Sequence, residues 1–213
     1  MPDVPTIVEL SDDPFEPRIL SSDVVYKGAV WDIRSETFEY NGDEITREFV
    51  DHTGAVAILA MDDEERVLLI KQYRHPIRQR DWELPAGLLD IAGEDALIGA
   101  QRELAEEADL VATDWSLLTD FQTSVGGSNE SLRVYLARGL SDTAEAFERT
   151  HEEVDIEKRW VSLDEVIDAV LATRLQNSIL AISVLAADAS RRRGWNTLND
   201  ARAPWTRHPS YKG

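Results

Sequence analysis

Leu97, Ala100, Leu104 and Ala108 recur at the three- and four-residue spacing of an α-helix, in the middle of a chain whose flanks alternate with a period of two. A lone amphipathic helix set among strands needs a sheet to cover its apolar stripe. On the N-terminal side, Asn41-Gly42 separates two runs rich in β-branched and aromatic residues, 30–40 and 45–50. Both turn residues tolerate the positive φ of a type I′ turn, so a hairpin is expected. Residues 55–61 and 67–73, joined by the polar turn 62–65, read as a second hairpin of largely buried strands, and 82–84 as a short strand ending at Pro85. Beyond the helix, strands are expected at 117–122, 132–137 and 158–161. Ser162 with Glu165 three positions on forms a capping box for a helix over 163–171, and another helix is expected over 179–193. The expectation is an α/β fold in which a mixed sheet lies between helices. An acidic, proline-bearing tail at 1–18 precedes an N-terminal β subdomain at 19–52, the main domain at 53–195 and a C-terminal tail at 196–213.

The chain carries 22 Lys and Arg against 41 Asp and Glu, a formal charge of −19. Such an excess of acid repels polyanions at long range, which argues against binding nucleic acid or an anionic membrane. No apolar run approaches the roughly 18 residues needed to cross a bilayer. The acidic stretch 1–13 is unlike a basic, apolar signal peptide, so a cytoplasmic location is expected. With no cysteine, any metal must be held by oxygen or imidazole, and His52, His75, His151 and His208 show no metal-ligand spacing. They read as structural.

The most informative segment is GLLDIAGEDALIGAQRELAEEADL, residues 87–110. With the apolar stripe at 0° and about 100° per residue, Glu103, Glu106 and Glu107 fall near 240°, 180° and 280°, on the side facing away from the core. Like charges at this spacing cost a helix about 0.2 to 0.5 kcal/mol per pair, and acids toward its C-terminal end oppose the macrodipole. A hard divalent cation would compensate, since it takes oxygen ligands and leaves positions for water and phosphate. A solvated acidic face is the alternative for Glu-x-x-Glu-Glu taken alone.

The context resembles the box of the Nudix hydrolases: Gly87, Glu94, Arg102-Glu103-Leu104 and Glu106-Glu107 follow its pattern, in register over seventeen positions from Glu94. Two departures stand out. Six residues, not five, separate Gly87 from Glu94, and Asp109 occupies the place of the box's late glycine. Asp is tolerated there if the position is a left-handed helix cap. The resemblance implies a Nudix-type α/β/α sandwich preceded by a small β-hairpin domain. It implies Mg²⁺ or Mn²⁺ held by Glu103, Glu107 and the backbone carbonyl of Ala86, with Glu106 assisting, while Arg102 and Glu94 orient the loop against the helix. The activity implied is hydrolysis of a nucleoside diphosphate linked to another group.

Outside the box, Gln72-Tyr73-Arg74-His75, Trp82-Glu83-Leu84-Pro85-Ala86-Gly87 and His151-Glu152-Glu153-Val154-Asp155 are similar to the ADP-ribose pyrophosphatase branch. That likeness implies cleavage of ADP-ribose to AMP and ribose 5-phosphate, with Glu153 as the base and Glu152 as its alternative. It also implies a swapped homodimer in which Arg47 reaches the substrate of the partner subunit. Lys71, Arg74, Arg78 and Arg80 form the one concentrated basic decade, suited either to a solvated turn or to gripping a diphosphate. Trp31 could stack on adenine, Glu83 sits beside the basic decade, and Gly126 and Gly127 allow a backbone to approach a ligand. Val125 stands where the branch usually carries proline, fifteen residues beyond the box. That departure leaves room for another nucleoside diphosphate, a sugar nucleotide or dinucleoside polyphosphate. A catalytically silent ligand sensor is a third reading, and the intact Glu103, Glu106 and Glu107 weigh against it.

Overall fold

A computed structural model describes residues 10–145, 147 and 155–208. The chain divides into two compact units, Met1–Val50 and Asp51–Gly213. The first holds an antiparallel sheet of β1 (Ile19–Tyr26), β2 (Asp32–Tyr40) and β3 (Asp43–Asp51) in sequential order. Asn41 and Gly42 turn β2 into β3 with φ of 54° and 91°, as the Asn-Gly signal requires.

The second unit contains β4 (Ala55–Ala60), β5 (Arg66–Arg74), β6 (Gln79–Glu83), β7 (Ala86–Leu88), α1 (Ala96–Ala108), β8 (Leu110–Gln122), β9 (Ser131–Asp142), β10 (Glu157–Ser162), α2 (Leu163–Leu171), α3 (Ser178–Arg191) and β11 (Asn199–Asp200). Its main sheet runs β11-β8-β9-β4-β7 and is mixed, since β4 lies parallel to β9 while its other neighbour β7 is antiparallel. A second sheet runs β10-β5-β6.

The sequence AVAILA of β4 explains how the layers are arranged. A strand points successive side chains to opposite faces, and every residue of β4 is buried, so both faces must be covered. Ala55, Ala57 and Leu59 enter a core with Leu163, Val166 and Ile167 of α2 and Leu180, Val184 and Ala187 of α3. Val56, Ile58 and Ala60 enter a separate core with Leu97, Ala100, Leu104 and Ala108 of α1. The expected apolar stripe of α1 is therefore the face it buries, and the sheet lies between helices as expected.

The expected second hairpin does not form. Among the described residues, a single bridge between Met61 and Val67 pairs the end of β4 with β5; β4 joins the main sheet and β5 pairs with β6 and β10. The tight turn is real: Asp62 accepts hydrogen bonds from the backbone of Glu64 and Arg66. After the turn the strands part to different ladders while feeding the same two cores, Val67 and Leu69 joining the α2–α3 side and Leu68 the α1 side. The outer halves of β8 and β9 also extend well past the expected apolar runs. The C-terminal segment, without periodicity, is nevertheless docked: β11 pairs with β8, Trp205 is buried, and Arg133 donates to the carbonyl of Ala203 at 2.7 Å.

Candidate active site

α1 begins at Asp95, whose side chain accepts from the N–H of Leu97, and ends at Asp109 in the left-handed conformation with φ of 58°. Its N-terminal approach carries Glu94, and its middle carries Arg102, Glu103, Glu106 and Glu107. Arg102 organises them. Its Nε and Nη2 donate to the two oxygens of Glu94 at 3.1 Å each, while Nη1 donates to Glu103 at 2.7 Å and to Glu106 at 3.1 Å. The hydrogen bonds to Glu94 lead the forces that raise the guanidinium pKa, against the opposing cost of burial. The fork fixes the β7–α1 loop to the helix, the geometry Arg forms with a carboxylate and Lys cannot.

Glu107 departs from the outward orientation expected from the helical wheel. It is only 5% exposed, and its Oε2 accepts the N–H of Ala86 at 2.9 Å. The flank of α1 lies against β7, so a residue some 280° around the helix meets a strand rather than water. Glu103 approaches the same strand. A Cβ added to Gly87 would stand 2.0 Å from the Glu103 carboxyl group, so only glycine lets the strand pass so close.

Glu94, Glu103, Glu106 and Glu107 together with Arg102 carry a formal charge of −3. Among the described residues no three acidic or imidazole groups form a preassembled cage. Arg102 bonds to three of the acids, and the donors are hard oxygens, which a divalent cation matches in kind and in charge. The acids thus fit the group that the box implies.

Two arginines of the basic decade are committed to protein partners. Arg74 makes a bidentate pair with Glu83, at 2.8 and 2.6 Å, and Gln72 donates to the same carboxylate. Arg80 donates to the carbonyl of Asp155 at 2.8 Å. Arg74 and Glu83 are therefore brought together, and Arg80 is tied to the far end of the β9–β10 connection. Glu152 and Glu153 lie outside the described residues. Arg47 and Trp31 lie in the first unit, where Arg47 donates to the carbonyl of Thr46 and Trp31 is 44% exposed.

Gly126 and Gly127 lie in the β8–β9 loop, and neither would meet an obstacle with a Cβ. Sequence reading missed what anchors this loop. Asn129 accepts the N–H of His52 at 2.7 Å and donates to Asp51, and Glu130 lies 3.4 Å from His52 Nε2. His52 Nδ1 accepts the N–H of Gly54, so its remaining proton sits on Nε2, facing Glu130. Burial pulls the His52 pKa down against the pull of Glu130, consistent with a neutral, structural ring. The two sides of this contact are 77 residues apart, and no local pattern signals such a pairing.

Residues 51–181 match the NUDIX domain. The chain is 45% identical over 171 residues to an ADP-ribose pyrophosphatase of Mycobacterium tuberculosis, a match covering 80% of this chain and 82% of that protein. It is 34% identical to an ADP-ribose pyrophosphatase of Bacillus subtilis, over 79% of this chain and 91% of the relative. It is also 33% identical to a methanol dehydrogenase activator of Bacillus methanolicus, over 80% and 91%. A solved structure described as an ADP compounds hydrolase shares the fold, with a TM-score of 0.70 at 18% identity over 86% of this chain and 99% of that one. Domain match, close relatives and the assembly of Glu94, Arg102, Glu103 and Glu107 against Ala86-Gly87 converge: the chain belongs to the Nudix hydrolase family.

Proposed function

We propose that the protein hydrolyses the pyrophosphate bond of ADP-ribose to AMP and ribose 5-phosphate. The observation that carries this reading is the 45% identity to an ADP-ribose pyrophosphatase across four fifths of the chain. Nudix hydrolases generally require a divalent metal, and Mg²⁺ or Mn²⁺ is the proposed ion here. Glu103, Glu106, Glu107 and the carbonyl of Ala86 would hold it, where it would polarise the phosphoryl oxygens. The chain's own residues do the rest. Arg102 and Glu94 keep the carboxylate-bearing helix and the preceding loop in one geometry. Glu153, or else Glu152, accepts the proton of the water whose oxygen bonds to phosphorus as the bridging P–O bond breaks.

Arg47, Trp31, Arg74, Glu83, Arg80, Gly126 and Gly127 are the proposed substrate contacts. The bidentate Arg74–Glu83 pair supports a positioning part for Glu83, which presents the arginine from a buried strand end. A homodimer joined through residues 19–52 is supported by the exposed apolar side chains of Ile19, Val24, Val25, Tyr26 and Tyr40. A cytoplasmic location agrees with the fact that no helix among the described residues is long and apolar enough to cross a membrane.

Val125 in place of the branch's proline favours one second reading: a Nudix hydrolase of another nucleoside diphosphate. Incubating the purified protein with a panel of diphosphates and Mg²⁺ tests both. The proposal expects AMP from ADP-ribose with the highest kcat/KM in the panel; a better sugar nucleotide or dinucleoside polyphosphate substrate establishes the second reading, and no AMP refutes the first.

A further inference from the structure

His52 and Gly54 lie in the link between β3 and β4, and together they hold two loops. His52 seats the β8–β9 loop. Its backbone N–H donates to the Asn129 side chain at 2.7 Å, and its buried ring turns Nε2 to Glu130 at 3.4 Å. Gly54 seats the loop of the box: its carbonyl accepts the N–H of Leu89 at 3.0 Å, while its own N–H donates to His52 Nδ1 at 3.0 Å. Polar contacts therefore run without a gap from Leu89, two residues beyond Gly87, through Gly54 and the imidazole to Glu130.

The main sheet puts these loops side by side. Ala55, the first residue of β4, pairs with Leu88 of β7 on one side and with Leu132 of β9 on the other. β7 ends and β9 begins there, so both loops leave the same end of the sheet, two strand spacings or about 10 Å apart. One follows Gly87, against which the Glu103 carboxyl group lies; the other carries Gly126 and Gly127. The β8–β9 loop is bonded to itself from stem to tip. Thr123 Oγ1 donates to Glu130 across the stem, the Ser124 carbonyl accepts the N–H groups of Gly127 and Ser128 at 3.0 Å each, and Ser128 Oγ accepts the N–H of Glu130 at 3.1 Å. Val125 at the tip is 81% exposed, so the loop takes its bearing from the stem, where His52 meets it.

We propose that His52 is a positioning residue for the substrate: bonded to Gly54 on one side of its ring, facing Glu130 on the other and holding Asn129 at its backbone, it fixes the β8–β9 loop against the loop of the box and so sets Gly126 and Gly127 relative to the acids of α1. This rests on the hydrolysis proposed above and on Gly126 and Gly127 as substrate contacts. A loop that only binds contributes equally to the ground state and the transition state, so its displacement raises KM and spares kcat.

The test uses the full chain and three variants, His52→Asn, His52→Gln and Asn129→Ala. His52→Asn keeps an acceptor for the Gly54 N–H but is too short to reach Glu130, and Asn129→Ala releases the His52 N–H. In both, KM for ADP-ribose is expected to rise about five- to fifty-fold with kcat within about three-fold. His52→Gln puts an amide N–H in place of Nε2, facing Glu130, and should return KM to within about three-fold of the wild type. Mn²⁺ titrated alone into each variant should bind within about two-fold of its wild-type affinity, because Arg102 and the acids of α1 keep their bonds. A KM within about two-fold of the wild type in both His52→Asn and Asn129→Ala overturns the proposal. A parallel loss of kcat and Mn²⁺ affinity also overturns it, since that marks damage to the whole site, and His52→Gln no better than His52→Asn overturns the part given to Glu130. If His52→Asn does not fold, Asn129→Ala decides the same question. If wild-type protein does not cleave ADP-ribose, the substrate reading fails separately, and KM is read on whichever diphosphate the panel shows to be cleaved; if none is cleaved, hydrolysis fails and this proposal with it.

Discussion

Two arginines in the second unit each gather three carboxylates, and the two clusters differ in ways that separate scaffold from site. Arg191, near the end of α3, bonds to Asp188 one turn back at 2.9 Å, to Asp164 at the start of α2, and to Glu65 in the β4–β5 turn at 3.2 Å. Asp188 receives a further ion pair from Arg192 at 2.8 Å. The acids come from three elements, two of them are half-exposed or more, and a second cation shares the load. This is a staple. Around Arg102, three acids come from one helix and the loop leading into it, Glu94 and Glu103 are mostly shielded, and a fourth acid is buried beside it. A cluster built only for stability gains little from stacking uncompensated charge. The acids around Arg102 are instead the oxygen donors that the proposed divalent ion would take.

The largest test of that contrast is Glu103→Gln, which removes a charge but little volume. AMP release is expected to fall at least about a hundred-fold while the melting temperature holds or rises, because like-charge repulsion on α1 is relieved. Gly87→Ala comes next. Its methyl group would collide with the Glu103 carboxyl group, so both activity and stability are expected to fall, the latter by about 1 to 3 kcal/mol in a urea titration. Arg191→Ala is expected to cost about 1 kcal/mol in the same titration and to leave kcat/KM at the wild-type value. An equal loss of activity would erase the distinction between staple and site.

The smallest expected effect is in pH. Burial opposes ionisation of Asp188, but the hydrogen bonds from Arg191 and Arg192 outweigh it and hold its pKa below the ordinary 3.8. A depressed carboxylate stabilises the fold above its unfolded pKa and loses that contribution as pH falls through the folded value. Wild-type melting temperature should therefore drop more steeply between pH 5 and pH 3 than that of Asp188→Asn.

Much of the fold is written in local patterns: the stripe of α1, the Asn-Gly turn of β2 and β3, and the Ser162 cap, which does accept the N–H of Glu165. The acids of α1 were legible from helical spacing, and the clamp between Arg102 and Glu94 was implied by the resemblance to the Nudix box. What escaped was set by partners distant in sequence. The parting of β4 from β5 goes with the pairing of β4 to β9, where Ala55 meets Leu132. The burial of Glu107 depends on β7, a three-residue strand whose Gly87 carries no strand propensity. The commitment of Arg74 to Glu83 arises because β5 and β6 pair with Glu83 opposite Ile70, on the face that Gln72 and Arg74 share, so both side chains reach its carboxylate along the ladder.

The alternation of β4 also sets how the molecule tolerates change. Val56, Ile58 and Ala60 seat the helix that carries the acids, whereas Ala55, Ala57 and Leu59 seat α2 and α3, and the two sets share a backbone but no core. Repacking on the odd-numbered side thus bears on α2 and α3 and meets the site only at Ala86 and Leu88 of β7, which pack against that core, while a methylene gained or lost on the even-numbered side bears directly on the seat of the acidic helix. One six-residue strand keeps two mutational ledgers, and adjacent residues belong to different ones.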